Sequence, residues 1–490
     1  MSANAVIMSL GNFTDAFMRN DLSKMSVGFI PDLGDVSFDL LLKHLVSKSK
    51  LAKTNAEKAI KSHKLFIERE YWAMLFDPLK RVEHTGVKMY ILGRGLCTIF
   101  PRLAFFVGDD PAIHRYCGVY EGNANHSCIH CKYSVKNDGL FDPDKQEPRD
   151  PSITNPLCEL AISGSRKKAN GCPILLVEKE AMEVLKSQGL HYLPNATVGV
   201  PMGFTLPNIP NNVHNSPCDI LHTFGCGICK TTCLWTLSIV MQISKQKEFK
   251  FNMSILDRRI SSNKDWPKLP NVSSTYFAKG VSFINKNKSS SEKQRTTGSA
   301  GGFRSCEFVP LLLQLYLAIG FEGDILPLTS TFGKVTEIVL KSISSVLDAY
   351  FSVRTSPLTT ERIVKIEQTQ MISSNNFTAL YQLMDRVHGS EIIRLPMIRK
   401  DHARNCSLIN FMKKKGTADK GDSASYESSH RLLTVGSWKS TSRRYDTMNA
   451  EMAHKAMLLN LNSINDFLHA VITNTMASFV ARVGPYVAPE

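Results

Sequence analysis

The sequence predicts an α/β protein with a strand-bearing N-terminal part, a large and partly helical insertion, and a helical C-terminal region. Three observations predict it. Over roughly the first hundred residues, short apolar runs stop at glycine, proline or asparagine, as strands do. From about residue 134 to 217 the periodicity is lost, and prolines, asparagines and glycines are frequent, as in inserted loops. Beyond residue 300, apolar residues return at helical spacing.

Residues 6–10 read as a strand closed by Gly11-Asn12, and residues 26–30 as a second closed by Pro31-Asp32. Residues 40–45 read as a helix, and residues 47–64 as a lysine-rich stretch without a period. Leu65, Trp72, Leu75 and Phe76 recur at helical spacing, and Pro78 is expected to end that helix. Residues 87–92 and 96–107 read as a hairpin turning at Gly93-Arg94-Gly95, with Pro101 marking a bulge or a late strand start. In the insertion only residues 177–188 form a clear helix. An apolar helix follows over 218–244, then the polar, basic and glycine-rich segment 286–302. Residues 307–320, 336–353 and 367–387 read as helices, Lys413-Lys414-Lys415 as a loop, and 449–481 as mostly helical. No internal repeat is evident.

A chain of 490 residues accommodates two or three domains. It carries 59 Lys+Arg against 44 Asp+Glu, a formal charge of +15, which points to a polyanionic partner, above all nucleic acid. No apolar run is expected to reach the length of a membrane span, so no membrane partner is expected. The start lacks the layout of a secretory signal, so the twelve cysteines read as reduced thiols and metal ligands.

The stretch from Leu103 to Cys131 concentrates the chemistry. Its apolar run ends at Gly108-Asp109-Asp110-Pro111, and a carboxylate at the end of a buried strand is where α/β folds place their chemistry. Cys128-Ile129-His130-Cys131 has the spacing of a structural zinc pair, although two buried thiols have the same pattern. Asp219 and His222 share a helix face, which also suits a carboxylate at a helix start. His402 and Cys406, at i and i+4, can chelate one metal from a single helical turn. Glu427 precedes Lys439, Arg443 and Arg444, an arrangement suited to a metal ligand beside a phosphate track or to a solvated helix end. Cys226, Cys229 and Cys233 with His222 imitate a second zinc set. They spread over roughly 16 Å of one helix, too far to surround one ion, and read as core residues.

Taken together, FVGDDPAIHRYCGVY, the C-x2-C, Asp219-x2-His222, YESSH with WKSTSRRY, and SLGNFTDAF with VGFIPDL resemble a DDE transposase of the CACTA, Mirage and Chapaev group, with Plavaka-like members most similar. The resemblance covers nearly the whole chain. It implies an RNase H-like mixed sheet core begun by residues 1–133, interrupted over 134–300, and completed by 301–490 with the late glutamate. It also implies Mg2+-dependent DNA strand cleavage and transfer at a two-metal site, with Asp109 and Glu427 as surviving ligands and Asp110 as fallback for Asp109. Strands near 6–10, 27–30, 87–92 and 96–107 are expected in one sheet. The V(D)J recombinase catalytic subunit is distantly similar. By that analogy Cys128, Cys131, His402 and Cys406 complete one structural Zn2+ site, their ligand atoms converging to about 4 Å. Cys406 stands where the family more often has histidine. The family further implies a nuclear protein that binds transposon ends, with Lys439, Arg443, Arg444 and residues 286–295 against phosphate, and homo-oligomers as possible assemblies. A zinc-stabilised, non-enzymatic nuclear DNA-binding protein is the alternative. The resemblance departs at the start: the family's first catalytic aspartate lies on an earlier strand, whereas here no aspartate precedes Asp15. The expectation is an N-terminally truncated chain of impaired catalysis, with Asp32 or Asp35 as the substitutes to consider.

Overall fold

The computed structural model describes residues 2–9, 24–32, 35–48, 50, 52–82, 84–91, 94–101, 106–108, 110–117, 119–120, 128–134, 147, 166–169, 172–175, 179–187, 189–190, 219–243, 308–320, 333–355, 358–388, 396–418 and 422. These residues are mostly helical, with strands in antiparallel pairs.

Strand β1 (Ser2–Ser9) pairs with β2 (Lys24–Asp32), Val6 opposite Gly28, with an irregularity between Val6 and Ile7. Helix α1 (Asp35–Lys48) packs on α2 (Lys53–Arg81), joined through Lys50 at φ +49°. α2 is longer than expected at both ends. The lysine-rich stretch is helical because Ala56 and Ile60, one turn apart, are buried. Pro78 lies inside the helix, only three residues from its end. The Arg81–Asp77 ion pair (2.6 Å) spans that last turn and Val82 N–H donates to Pro78 O.

Strands β3 (Val87–Ile91) and β4 (Gly95–Ile99) form the expected hairpin, Tyr90 opposite Leu96, with Gly95 at φ +77°. β4 ends before Pro101, and residues 106–108 are not in a strand, so the arm expected to run to 107 is shorter. A proline there supplies no ladder donor. Phe106, from the end of the apolar run, packs instead on α2, meeting Trp72 edge-on at 5.1 Å, and Trp72 stacks on Phe76 at 5.7 Å. Asp110 opens helix α3 (Asp110–Cys117), with Pro111 in the first turn, where its missing N–H costs no helical bond. After α3, Val119 bridges Leu190 and Tyr120 N–H donates to Gly189 O. A third pair, β5 (Arg166–Ala169) with β6 (Cys172–Leu175), and α4 (Lys179–Ser187) lie in the insertion region. Among the described residues the strands form three separate two-stranded sheets, not the single sheet expected for the first four.

The core is helical. A π-helix π1 (Leu221–Cys229) continues into α5 (Lys230–Ile243) and is surrounded by α6 (Phe308–Gly320), α7 (Gly333–Val353) and α8 (Thr360–His388). The stretch Leu221–Val240 is long and apolar enough to cross a membrane, contrary to the sequence expectation, but 83% of it is buried inside the protein. Trp235 stacks on Phe377 at 5.0 Å, and Leu312, Leu315, Val346 and Leu380 are fully enclosed. Burial on this scale contributes roughly 1.5–3 kcal/mol per large apolar side chain. α7 and α8 run antiparallel, as two cross-bonds show: Gln370 Nε2 to Ala349 O (2.9 Å) and Ser342 Oγ to Asn376 O (2.8 Å). Helix α9 (Pro396–Ala403) leads into a second π-helix, π2 (Arg404–Leu408), and then α10 (Ile409–Lys415). The three lysines 413–415 are therefore helical, not a loop, and Lys413 pairs with Glu367 of α8 at 2.5 Å. Residues 286–302 and 449–481 lie outside the described residues.

Candidate metal centre

Four side chains converge between the loop at 128–134 and the α9–π2 junction. The ligand atoms of Cys128, Cys131, His402 and Cys406 all lie within 4.8 Å of one another. Cys131 Sγ is 3.3 Å from His402 Nε2 and 3.9 Å from Cys406 Sγ. Metal–sulfur bonds of about 2.3 Å in a tetrahedron put sulfurs roughly 3.8 Å apart, so the quartet is close to closed geometry, slightly wider than the 4 Å expected from the sequence. All four residues are buried. The quartet can hold a metal ion such as zinc.

Each ligand is placed by something local. Cys128 Sγ accepts the His130 backbone N–H (3.4 Å), which curls the loop so that both cysteines face inward. Lys132 N–H donates to Glu147 O (2.8 Å), anchoring the strand of loop that follows. The Tyr133 ring lies flat on His402, 3.9 Å between centroids and 8° between planes, and sets the imidazole orientation. Asn410 Nδ2 lies 3.9 Å from Cys406 Sγ, as its donor. His402 and Cys406 straddle the start of π2, on the same side of the helix.

The electrostatics suit a metal site. Hydrogen bonds from the Cys131 and Cys406 thiols, aided by His402, hold Cys128 well below the usual thiol range, against its burial. Donating to Cys128, together with burial, pushes Cys131 and Cys406 up. Cys131 and Cys406 are thus the thiols whose protons the cluster holds most tightly. A divalent cation would release those protons.

Asp219 and His222 are also brought together. Asp219 is fully buried and accepts from the N–H groups of Leu221 (3.1 Å) and His222 (3.3 Å) and from His222 Nδ1. The carboxylate thus caps the start of π1, the structural role the sequence offered it. π1 packs on α9: a Cβ at Gly227 would come 2.8 Å from His222 O and 3.5 Å from the Lys400 side chain. Asp219-His222 and the metal-binding helix are therefore neighbours in the fold. Cys229 and Cys233 are core thiols, burial pushing Cys229 up to about 12 and raising Cys233 as well. They join no metal cluster among the described residues.

Asp109, Glu427, Lys439, Arg443, Arg444 and residues 286–295 lie outside the described residues; Asp110, Asp32 and Asp35 sit at element ends. Sequence reading missed Tyr133, Asn410 and a buried ion pair, Asp401–Arg404, on the ligand helix itself. The pair was visible as i, i+3 opposite charges, but a sequence does not distinguish such a pair on a surface from one in a core. No protein-family model and no curated protein matches the chain.

Proposed function

We propose that this chain is a transposase-derived, zinc-stabilised DNA-binding protein. The quartet binds one structural Zn2+, and the carboxylates Asp109 and Glu427 are the surviving ligands of a Mg2+-dependent DNA strand-cleavage site, of impaired activity, on an RNase H-like core. One observation carries the reading. Two residue pairs, each unspecific alone, belong to segments 271 residues apart, Cys131 to His402, and meet as a buried three-sulfur, one-nitrogen set. That is the pairing the transposase resemblance implies. Soft thiolates with one imidazole favour zinc, and four protein ligands leave no open position, as in a structural site.

The DNA-binding part is supported by charge. Between residues 43 and 64 there are seven lysines and one glutamate. Lys43, Lys48, Lys50, Lys53 and Lys61 stand exposed around the α1–α2 turn. The first turn of α2 has no acidic residue and no side-chain cap, so its positive end adds to the field. The closed, buried quartet equally favours a second reading, a non-enzymatic nuclear DNA-binding scaffold in which zinc only ties the fold together. The experiment that separates them is Mg2+- or Mn2+-dependent nicking of duplex DNA bearing the element's terminal repeats. Cleavage lost in Asp109→Ala supports the enzyme; salt-dependent binding without cleavage supports the scaffold. Purified protein with no zinc and no salt-dependent DNA binding overturns both.

A further inference from the structure

The helix that carries His402 and Cys406 is held by charge. Asp401 and Arg404 are wholly buried. Arg404 donates to Asp401 Oδ1 from Nε (2.9 Å) and Nη2 (2.5 Å), and to Ser373 Oγ of α8 from Nη1 (2.7 Å). Asp401 Oδ2 accepts from Ser374 Oγ, also of α8. Asn405 Nδ2 closes the network onto Ser374 Oγ (3.3 Å) and Asp401 O (2.8 Å). The guanidinium also lies 5.8 Å from the Phe377 ring centroid.

We infer that this network is a positioning device for the metal centre: it sets the rotation and register of the ligand helix on α8, so that His402 and Cys406 face Cys128 and Cys131 before metal arrives. The inference rests on the quartet being a metal site. Its logic is geometric. Residues 401, 404 and 405 form one stripe of a helical turn, and 402 and 406 form the adjacent stripe. Locking the first stripe to α8 orients the second. An apolar stripe tolerates small slides and rotations. A buried ion pair with hydroxyl partners does not, because any slip leaves a charge without a partner. Such a pair adds little stability over apolar residues of similar size, and fixing register is its best-attested use. Asp401, Arg404, Ser373 and Ser374 are thus positioning residues, acting on the metal through the ligands between them.

The test uses the full chain with two variants. Asp401→Leu/Arg404→Met removes the pair without leaving a lone charge. Ser373→Ala/Ser374→Ala removes only its anchors on α8. Each is compared with the parent for thermal unfolding in the metal-free state, for Zn2+ affinity by competition with a chromophoric chelator, and for the Co2+ absorption spectrum. The expected result is near-parental unfolding, Zn2+ affinity weakened about 10–100-fold as for other outer partners of metal ligands, and a weaker tetrahedral Co2+ spectrum. The serine variant should shift in the same direction by less. Arg354→Met, which breaks the separate Arg354–Asp422 pair (2.5 Å), should leave affinity and spectrum unchanged. Parental affinity and spectrum in a folded double variant overturn the inference. If that variant does not fold, parental values in the serine variant overturn it. A parent that binds neither Zn2+ nor Co2+ defeats the metal reading itself.

Discussion

The β3–β4 hairpin and the helical core around α5 handle apolar residues in opposite ways. In the hairpin, the cross-strand pair Tyr90 and Leu96 is 72% and 71% exposed, and Met89 is more than half exposed. In the core, Leu312, Leu315, Val346 and Leu380 are completely enclosed by neighbouring helices. The difference comes from where each element finds its cover. A two-stranded ribbon hides neither face by itself and needs a further layer. Consecutive amphipathic helices joined by a short connection, such as α7 and α8, cover one another. The metal quartet is a third arrangement, a junction that joins the loop after α3 to the helix carrying His402 and Cys406.

The sharpest way to break this comparison is to remove that junction. Cys131→Ser should abolish stoichiometric zinc in elemental analysis. It should also remove the metal's share of stability, about 4 kcal/mol at a metal concentration a thousandfold above Kd. Zinc retained at one per chain would show that the quartet is not the site. Within the core, Phe377→Ala should cost about 3–5 kcal/mol in urea unfolding, since it empties the space beneath Trp235. Tyr90→Ala in the hairpin should stay within about 0.5 kcal/mol. Equal losses would mean that the hairpin face is covered in solution. Replacing Lys48, Lys50, Lys53 and Lys61 by glutamine should leave unfolding unchanged. It should weaken duplex DNA binding and make the salt dependence shallower by roughly 0.9 for each phosphate that is no longer neutralised, measured by fluorescence anisotropy.

An effect confined to alkaline pH lies in the buried thiols. Burial holds Cys229 protonated up to about 12. An unfolded thiol ionises near ~8.5, so its contribution to stability is constant below that pH. Above it the unfolded chain releases a proton that the folded core keeps, and stability falls as pH rises towards the folded value, by at most roughly 1.4 kcal/mol per pH unit. Cys229→Ala should flatten this alkaline decline. Identical slopes for variant and parent between pH 8 and 10 would speak against a protonated core thiol.

Much of the helical part was legible. The apolar periods placed helices within a few residues of π1–α5, α6 and α7, and inside α8, which starts seven residues before the expected 367, because a helix buries a stripe that the chain itself spells out. The hairpin at Gly93-Arg94-Gly95 was legible for the same local reason. The β5–β6 pair was missed although Asn170-Gly171 between its arms is a strong hairpin signal. The extension of α2 through Lys53–Lys64 was hidden because its buried Ala56 and Ile60 sit among many lysines, where they give no clear apolar period. Pro78 misled because a proline removes one bond to the preceding turn and crowds its carbonyl without forbidding the helix to run on, here for three more residues.

By itself the sequence determined the strongly periodic helices, the β3–β4 turn and the two chelating pairs, since each depends on residues within a turn or two of one another. Only the tertiary structure decided that Cys128-x2-Cys131 and His402-x3-Cys406 form one buried quartet, that Asp219 caps π1, and that Asp401 and Arg404 are a core ion pair. It also decided that β1–β2 and β3–β4 stand as separate pairs among the described residues. The physical reason is common to all four. Burial and convergence depend on which segments pack around a residue, near or far in the chain, and a short-range pattern records what a segment can do, not what will cover or meet it.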